Sequence, residues 1–263
     1  MQILPIHTAI LKPGDDLAEI LLGGGIRSGD IIVVSSKAVA TVEGSAIDLS
    51  KITPTTEAEE WTKKCGKTPA FRQAILDETT RLNGWVHPSS PLAMLTELKP
   101  DGFPHGTLLV PNAGLDESNI AECWAIGWPK DPVLSAKQLR TDIEKRIQPE
   151  VRSPQSAAPR VVIIISDSCC KPRRNGVTAI ALTVSGMDPL YSEIGHTDLF
   201  GKKMKMTVEA RADQLATAAN MVMGNAAQST PAAIIRDHGI TLNDVSGWVP
   251  GYSAEEDLFR GLR

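Results

Sequence analysis

Aromatic side chains are scarce, with four Phe, two Tyr and five Trp among 263 residues. So few rings argue against a surface that stacks successive nucleic-acid bases. A surplus of positive charge is also missing, because 27 basic residues face 31 acidic ones for a net charge of −4. Nucleic-acid binding normally shows as a basic excess. No apolar run approaches the roughly 18 residues that span a bilayer, and Val161 to Ile165 reads as a core strand. The opening Met1-Gln-Ile-Leu-Pro-Ile has no basic region and no small cleavage-type residues, so it does not read as a secretory signal. Cysteine is sparse too. Cys65, Cys123, Cys169 and Cys170 lack disulfide-framework spacing, and a reducing cytoplasm is the expected compartment. An adjacent Cys pair gives poor tetrahedral geometry, so no zinc role is expected.

The common nucleotide and hydrolase signatures are absent as well. There is no G-x-x-x-x-G-K-[ST], H-E-x-x-H, C-x-x-C or G-x-S-x-G. Gly23, Gly24, Gly25 and Gly29 follow an expected helix and precede an expected strand. A dinucleotide fingerprint needs the opposite order, so these glycines read as a helix end and turn.

What is present is a chain with 42% hydrophobic residues, enough for a large core in one big domain or two modest ones. Met1 to Ile6 reads as a strand. Pro13-Gly14-Asp15-Asp16 offers an N-cap to a helix carrying Leu17, Ile20 and Leu21, and Ile31 to Val34 is a buried strand ending on Ser35-Ser36-Lys37. Thr55 to Leu82 reads as a helical pair broken at Gly66 to Pro69, and Thr107 to Val110 as a strand. Ser135 to Ile147 reads as a helix and residues 148–159 as a linker. Val161 to Ile165, Val177 to Val184 and Ala233 to Ile235 are further strands. Val208 to Met223 is an Ala-rich helix closed by Gly224. The mixture lacks strict βαβ regularity and predicts an α+β fold with a mixed sheet. Residues 1–150 and 160–263 form an N-terminal and a C-terminal part, either two units or one intertwined domain.

Two segments carry chemistry. Asp116 lies within Asn112-Ala-Gly-Leu-Asp-Glu-Ser-Asn119, and Asp167 within Ser166-Asp-Ser168, each at the end of a hydrophobic strand. Carboxylates and hydroxyls so placed suit a hard divalent cation that keeps positions for substrate phosphates, and two of them on one ion would make a phosphoryl-transfer site. They equally suit turn and helix caps. Pattern alone leaves both readings open. The run Lys202-Lys203-Met204-Lys205 is likewise either a solvated edge or a contact for a small anion.

At these residues the sequence resembles the GTP-dependent L-glutamate ligases of deazaflavin coenzyme F420 biosynthesis, the F420-0:γ-glutamyl ligases. The resemblance runs nearly end to end. It includes Gly29-Asp-Ile-Ile-Val-Val-Ser-Ser-Lys37 with Glu43-Gly44, the Asn112–Asn119 stretch, and Ser166-Asp-Ser168 with Arg174-Asn175-Gly176. It continues through Gly195-His-Thr-Asp-Leu-Phe-Gly201 and Thr207-Val-Glu-Ala-Arg-Ala-Asp-Gln-Leu-Ala216 to Met223-Gly224. This resemblance implies an intertwined homodimer binding small molecules only, with GTP as co-substrate. It further implies a divalent cation (magnesium or manganese), with potassium as a further cation. Glutamate is joined to a carboxylate acceptor, by default F420-0, through an acyl phosphate. Folate-type acceptors, or a nucleotide- or metabolite-binding homologue with weakened turnover, are the other readings.

Carried over by position, Asp116 and Asp167 are implied ligands of a first cation, and Ser168 and Asn225 of a second. Ser35, Ser36, Asn119 and the loop from Met223-Gly224-Asn225 to Thr230 are implied nucleotide contacts, and Arg174 an implied holder of an anionic substrate group. Four departures from the family pattern touch this apparatus. Asn225 replaces a glutamate, Thr41 a lysine, and Cys170 a glycine. His7-Thr8-Ala9-Ile10 replaces a Gly-Leu-Pro turn.

Overall fold

The computed structural model describes residues 1–88, 92–147 and 160–259, and the linker-like stretch 148–159 lies outside them. The chain opens with β1 (Gln2–Ile6) and α1 (Leu17–Leu22). Asp16 caps α1 by accepting from the Glu19 amide at 3.1 Å, and Gly23 ends it. In β2 (Ile31–Ser35) the four β-branched residues are fully buried. The next helix, α2 (Ser36–Val42), starts directly from the strand. A short β3 (Ile47–Asp48) precedes the expected helical pair, α3 (Thr56–Cys65) and α4 (Pro69–Arg81), capped by Thr55 and Thr68. The break falls at Gly66, whose φ of +71° is open to glycine at little cost.

The next three strands, β4 (Trp85–His87), β5 (Leu95–Leu98) and β6 (Leu108–Pro111), form an antiparallel sheet. A two-residue β7 (Trp124–Ala125) pairs with β3. Helix α5 (Pro132–Arg146) begins three residues earlier than its apolar pattern predicts. Asp131 supplies the cap, accepting from Leu134 N, and Pro132 occupies a first-turn position.

The strand expected at Val161 to Ile165 is longer than its apolar run. A bulge between Ile165 and Ser166 lets β8 (Val162–Cys170) carry Ser166-Asp167-Ser168 inside the ladder with β9 (Val177–Ser185). The Ala-rich helix is shorter than expected. Val208 and Glu209 form β11, paired with β10 (Tyr191–Ser192), and α6 spans Arg211–Met223. The chain then enters β12 (Ala232–Arg236) and β13 (Ser246–Trp248).

The main sheet runs β1-β12-β2-β8-β9-β13, drawing strands from both parts of the chain. Of its pairings only β2 with β8 is parallel, in register from Ile31 opposite Val162 to Ser35 opposite Ser166. Helices cover both faces. Ile32, Val34, Ile163 and Ile165 pack with Leu21, Phe71 and Ile143 on one side. Ile31, Val33, Val162 and Ile164 pack with Ala212, Leu215 and Ala219 of α6 on the other. Each large aliphatic side chain so buried contributes about 1.5–3 kcal/mol. The architecture is α+β with a mixed sheet, as the sequence predicts. Among the described residues no helix is long and apolar enough to cross a membrane.

Candidate active site

Parallel strands end together, and that is where the polar residues gather. Ser35 and Ser166 are register partners at the carboxyl ends of β2 and β8. Since β12 runs antiparallel beside β2, its start lies at the same edge, and the Ser35 amide donates to Pro231 O at 2.9 Å. The segment after β1 closes the same edge. Thr8 N donates to Ser229 O at 3.0 Å, and His7 Nδ1 lies 2.9 Å from Thr230 Oγ1. Open sheets place ligand crevices at such carboxyl edges.

The Asn112–Asn119 loop is held onto this edge from within. Asn112 and Ala113 both take left-handed backbone conformations, with φ of +54° and +51°. The Asn112 carboxamide oxygen accepts from Arg72 Nη1 at 3.2 Å and from Met94 N at 3.3 Å. Arg72 is itself buried and also donates to the carbonyls of Cys65 and Gly66. At Gly114, with φ of +75°, a side chain is impossible, because a Cβ there would stand 2.5 Å from the Trp128 indole nitrogen. That indole donates to Asp167 Oδ2 at 2.7 Å. One glycine thus lets the loop approach the residue that orients Asp167.

Asp116 emerges from the loop beside an isolated bridge to Ile126. Its carboxylate accepts from the Ser118 amide at 3.0 Å and from the Ser118 hydroxyl, and it pairs with the Lys37 ammonium. Burial pushes this carboxyl up, but Lys37 and Ser118 outweigh it and hold it at about 2. Asp167 differs. Burial raises its pKa, opposed by the Trp128 hydrogen bond and the Lys37 charge, while Asp116 adds a further upward push. The two carboxylates therefore act on each other and on the same lysine. The half-exposed Lys37–Asp116 pair contributes about 1 kcal/mol or less, so the ammonium can leave Asp116 at small cost.

The remaining predicted residues distribute as follows. Asn119 Nδ2 donates to Ala226 O at 3.4 Å, joining the first loop to the segment after α6. Met223 is buried at the end of that helix. Gly224, with φ of +71°, turns the chain, and a Cβ there would strike the Gln228 side chain at 2.5 Å. Asn225 is exposed in the turn, Ser168 half-buried in β8, and Ser35 half-buried. Ser36 is fully buried, and its hydroxyl has no partner among the described residues. Arg174 is exposed in the β8–β9 turn, and no contact joins its guanidinium to either aspartate among the described residues. Thr41 turns its hydroxyl onto the Lys37 carbonyl at 2.7 Å, inside α2.

Lys37 and Trp128 are the site residues that pattern reading misses. The signal for Lys37 is its place directly after the serine pair at a strand end, although its partner lies far along the chain. The carboxylates of Asp116 and Asp167 are oxygen donors that suit a hard cation, and the Lys37 ammonium already meets Asp116 with positive charge, whereas no contact joins the Ser168 hydroxyl or Asn225 to either aspartate among the described residues. Among the described residues no cluster of three or more His, Cys, Asp or Glu converges on one point. A cation here would complete its shell with water and substrate oxygens, as magnesium commonly does.

Comparison with known proteins follows the same lines. The family described as F420-0:gamma-glutamyl ligase matches residues 5–237. The coenzyme F420:L-glutamate ligase of Methanocaldococcus jannaschii is 37% identical over 262 residues, covering 99% of this chain and 97% of that protein. The protein of the same description from Archaeoglobus fulgidus is 33% identical over 264 residues, covering 99% and 96%. That from Methanosarcina mazei is 34% identical, covering 86% and 82%.

Proposed function

This chain belongs to the F420-0:gamma-glutamyl ligase family, and from that premise we propose that it joins L-glutamate to the carboxylate of F420-0, with GTP as co-substrate. A carboxylate is a poor electrophile because its leaving group would be oxide. One carboxylate oxygen attacks the γ-phosphorus and GDP leaves. The glutamate amine then attacks the acyl carbon, phosphate departs, and the amine loses a proton to give the amide. When bound, magnesium or manganese would offset the charge gathered among γ-phosphate, carboxylate and transition state, with potassium as a further cation.

The observation that carries this reading is the grouping of Asp116, Asp167 and Lys37 at the carboxyl edge of β2 and β8. The loop after α6 is tied to them through Asn119. Asp116 and Asp167 would hold the first cation, and Ser168 and Asn225 the second. Lys37 would move from Asp116 onto phosphate oxygen. Ser35, Ser36, Asn119 and the 223–230 loop would line the nucleotide, and Arg174 would hold an anionic substrate group.

The arm from Leu190 to Glu209 supports a homodimer. Leu199 and Phe200 are 100% and 95% exposed, more apolar surface than a monomer keeps without use. The free thiols support a reducing compartment such as the cytoplasm.

Phosphate release with GTP or ATP, glutamate and F420-0 tests the reading. GDP, phosphate and glutamyl amide are expected in equal amounts only when all three substrates are present. Phosphate release that ignores the acceptor, or no turnover with any nucleotide, would overturn it. Calorimetry on Asn225→Glu is expected to show about tenfold tighter binding of the second cation without nucleotide, because a carboxylate replaces a neutral amide.

A further inference from the structure

A cavity of about 450 Å³ opens between the β5–β6 hairpin, the end of β8 and the C-terminal segment. Leu95, Leu109, Cys170, Pro172 and Tyr252 form its apolar walls. The volume is that of a small-molecule site. Its charged groups are not equivalent. Glu97 is buried and already accepts from Thr107 Oγ1 and pairs with His87 Nε2, both at 2.7 Å. Asp257 accepts from Phe259 N at 2.9 Å. The Lys171 ammonium, by contrast, makes no hydrogen bond or ion pair among the described residues, and its charge acts on buried Asp213 without contact. The polar group left to meet a ligand is a cation beside apolar walls and an exposed tyrosine ring.

The wall carrying Tyr252 is built, not draped. Thr107 N donates to Tyr252 O at 3.2 Å and Gly251 N to His105 O at 3.1 Å. The two backbones cross so closely that a Cβ on Gly106 would stand 2.3 Å from the Tyr252 carbonyl carbon, and one on Gly251 2.3 Å from Thr107 O. The cavity is also placed to serve the site. Asp167 and Cys169 share a face of β8, and Cys169 Sγ lies 3.9 Å from the carbonyl oxygen of Leu109, a wall residue. Asp167 to Cys170 spans about 10 Å of strand.

We infer that this cavity holds the ring end of the acceptor, a flat and largely apolar heterocycle bearing an anionic group. The acceptor's tail would then run along β8 and bring its carboxylate to Asp116 and Asp167. That the ring belongs to the acceptor, and where its tail runs, rest on the ligase reading; the fit to an apolar ring with an anionic group rests on the cavity's walls and Lys171.

The full-length protein tests this with hydroxydeazariboflavin, a ring compound that lacks the carboxylate tail. Bound ring is expected to slow alkylation of Cys170 by N-ethylmaleimide about tenfold, read by peptide mass spectrometry, and to leave exposed Cys123 unchanged. Ala254→Trp, which fills the cavity from an exposed position, is expected to weaken ring binding about tenfold and to leave GTP binding unchanged. Tyr252→Ala is expected to weaken it by a similar factor. Ring binding that neither shields Cys170 nor responds to Ala254→Trp overturns the inference, as does absence of ring binding at millimolar concentration. A protein that binds and shields but forms no glutamyl amide keeps the cavity and removes the ligase reading. One that forms the amide with an acceptor KM unmoved by Ala254→Trp keeps the ligase and removes the cavity.

Discussion

The Asn112–Asn119 loop and the Leu190–Glu209 arm treat their apolar residues in opposite ways. The loop buries Ala113 and Leu115, anchors Asn112 on a buried arginine and fits Gly114 against an indole. The arm closes with a two-residue pairing of β10 and β11 and turns Leu199, Phe200 and Met206 to solvent. The loop's conformation is therefore fixed by its own chain. Among the described residues nothing covers the arm's apolar tip, and the proposed second copy would do so.

The comparison can be broken most forcefully at Arg72. Arg72→Met removes three hydrogen bonds from a buried cation and leaves Asn112 and two carbonyls short of partners. Urea unfolding is expected to show a loss of about 3 kcal/mol or more, with site geometry lost in parallel. Gly114→Ala comes next. It forces a Cβ into the Trp128 ring at a positive φ, and about 2–3 kcal/mol should be lost along with a shift in tryptophan emission. A control outside both regions is Asp213→Asn.

Burial raises the Asp213 pKa, although its carboxylate accepts from Ala181 N at 2.8 Å. A carboxyl whose folded pKa is raised contributes stability that is present below its ordinary value and lost as pH rises through the folded one. At pH 7 the amide keeps the acceptor and drops the desolvated charge. A gain of about 1 kcal/mol or less is expected there, and none at pH 3. The smallest stability effect belongs to the arm. Leu199→Ser with Phe200→Ser should change unfolding of the single chain by less than about 0.5 kcal/mol, while light scattering should show the mass fall from dimer to monomer. A large stability loss in the single chain would erase the contrast.

Much of the scaffold was legible in the sequence because its signals are local. The Pro13–Asp16 segment before an apolar periodicity, the break at Gly66 to Pro69 between two helical patterns, and four consecutive β-branched residues at 31–34 each decide structure within a few positions. Strands β4 and β5 were not legible. Glu97 sits buried in β5, where His87 of β4 and Thr107, just before β6, both meet its carboxylate. The continuation of β8 through Ser-Asp-Ser-Cys-Cys was hidden likewise, since its polar residues are carried by the ladder with β9. Val208 and Glu209 continue a helical pattern, yet their pairing with Tyr191 and Ser192 prevails. At the site, the resemblance to known ligases pointed to the aspartates, whereas Lys37 became visible only with its partner 79 residues away.

The position of β2 also has a consequence for how the chain comes into being. Both of its neighbours are made late, since β8 begins at Val162 and β12 at Ala232. β1 has only β12 for a neighbour. During synthesis the most hydrophobic N-terminal strands therefore wait, unpaired, until nearly the whole chain has left the ribosome. Loop closure over such distances makes folding slow, and waiting strand edges invite mispairing between nascent chains. Co-expressed chaperones are therefore expected to raise the soluble yield of this protein in a foreign host, and an unchanged yield would speak against a waiting β1 and β2.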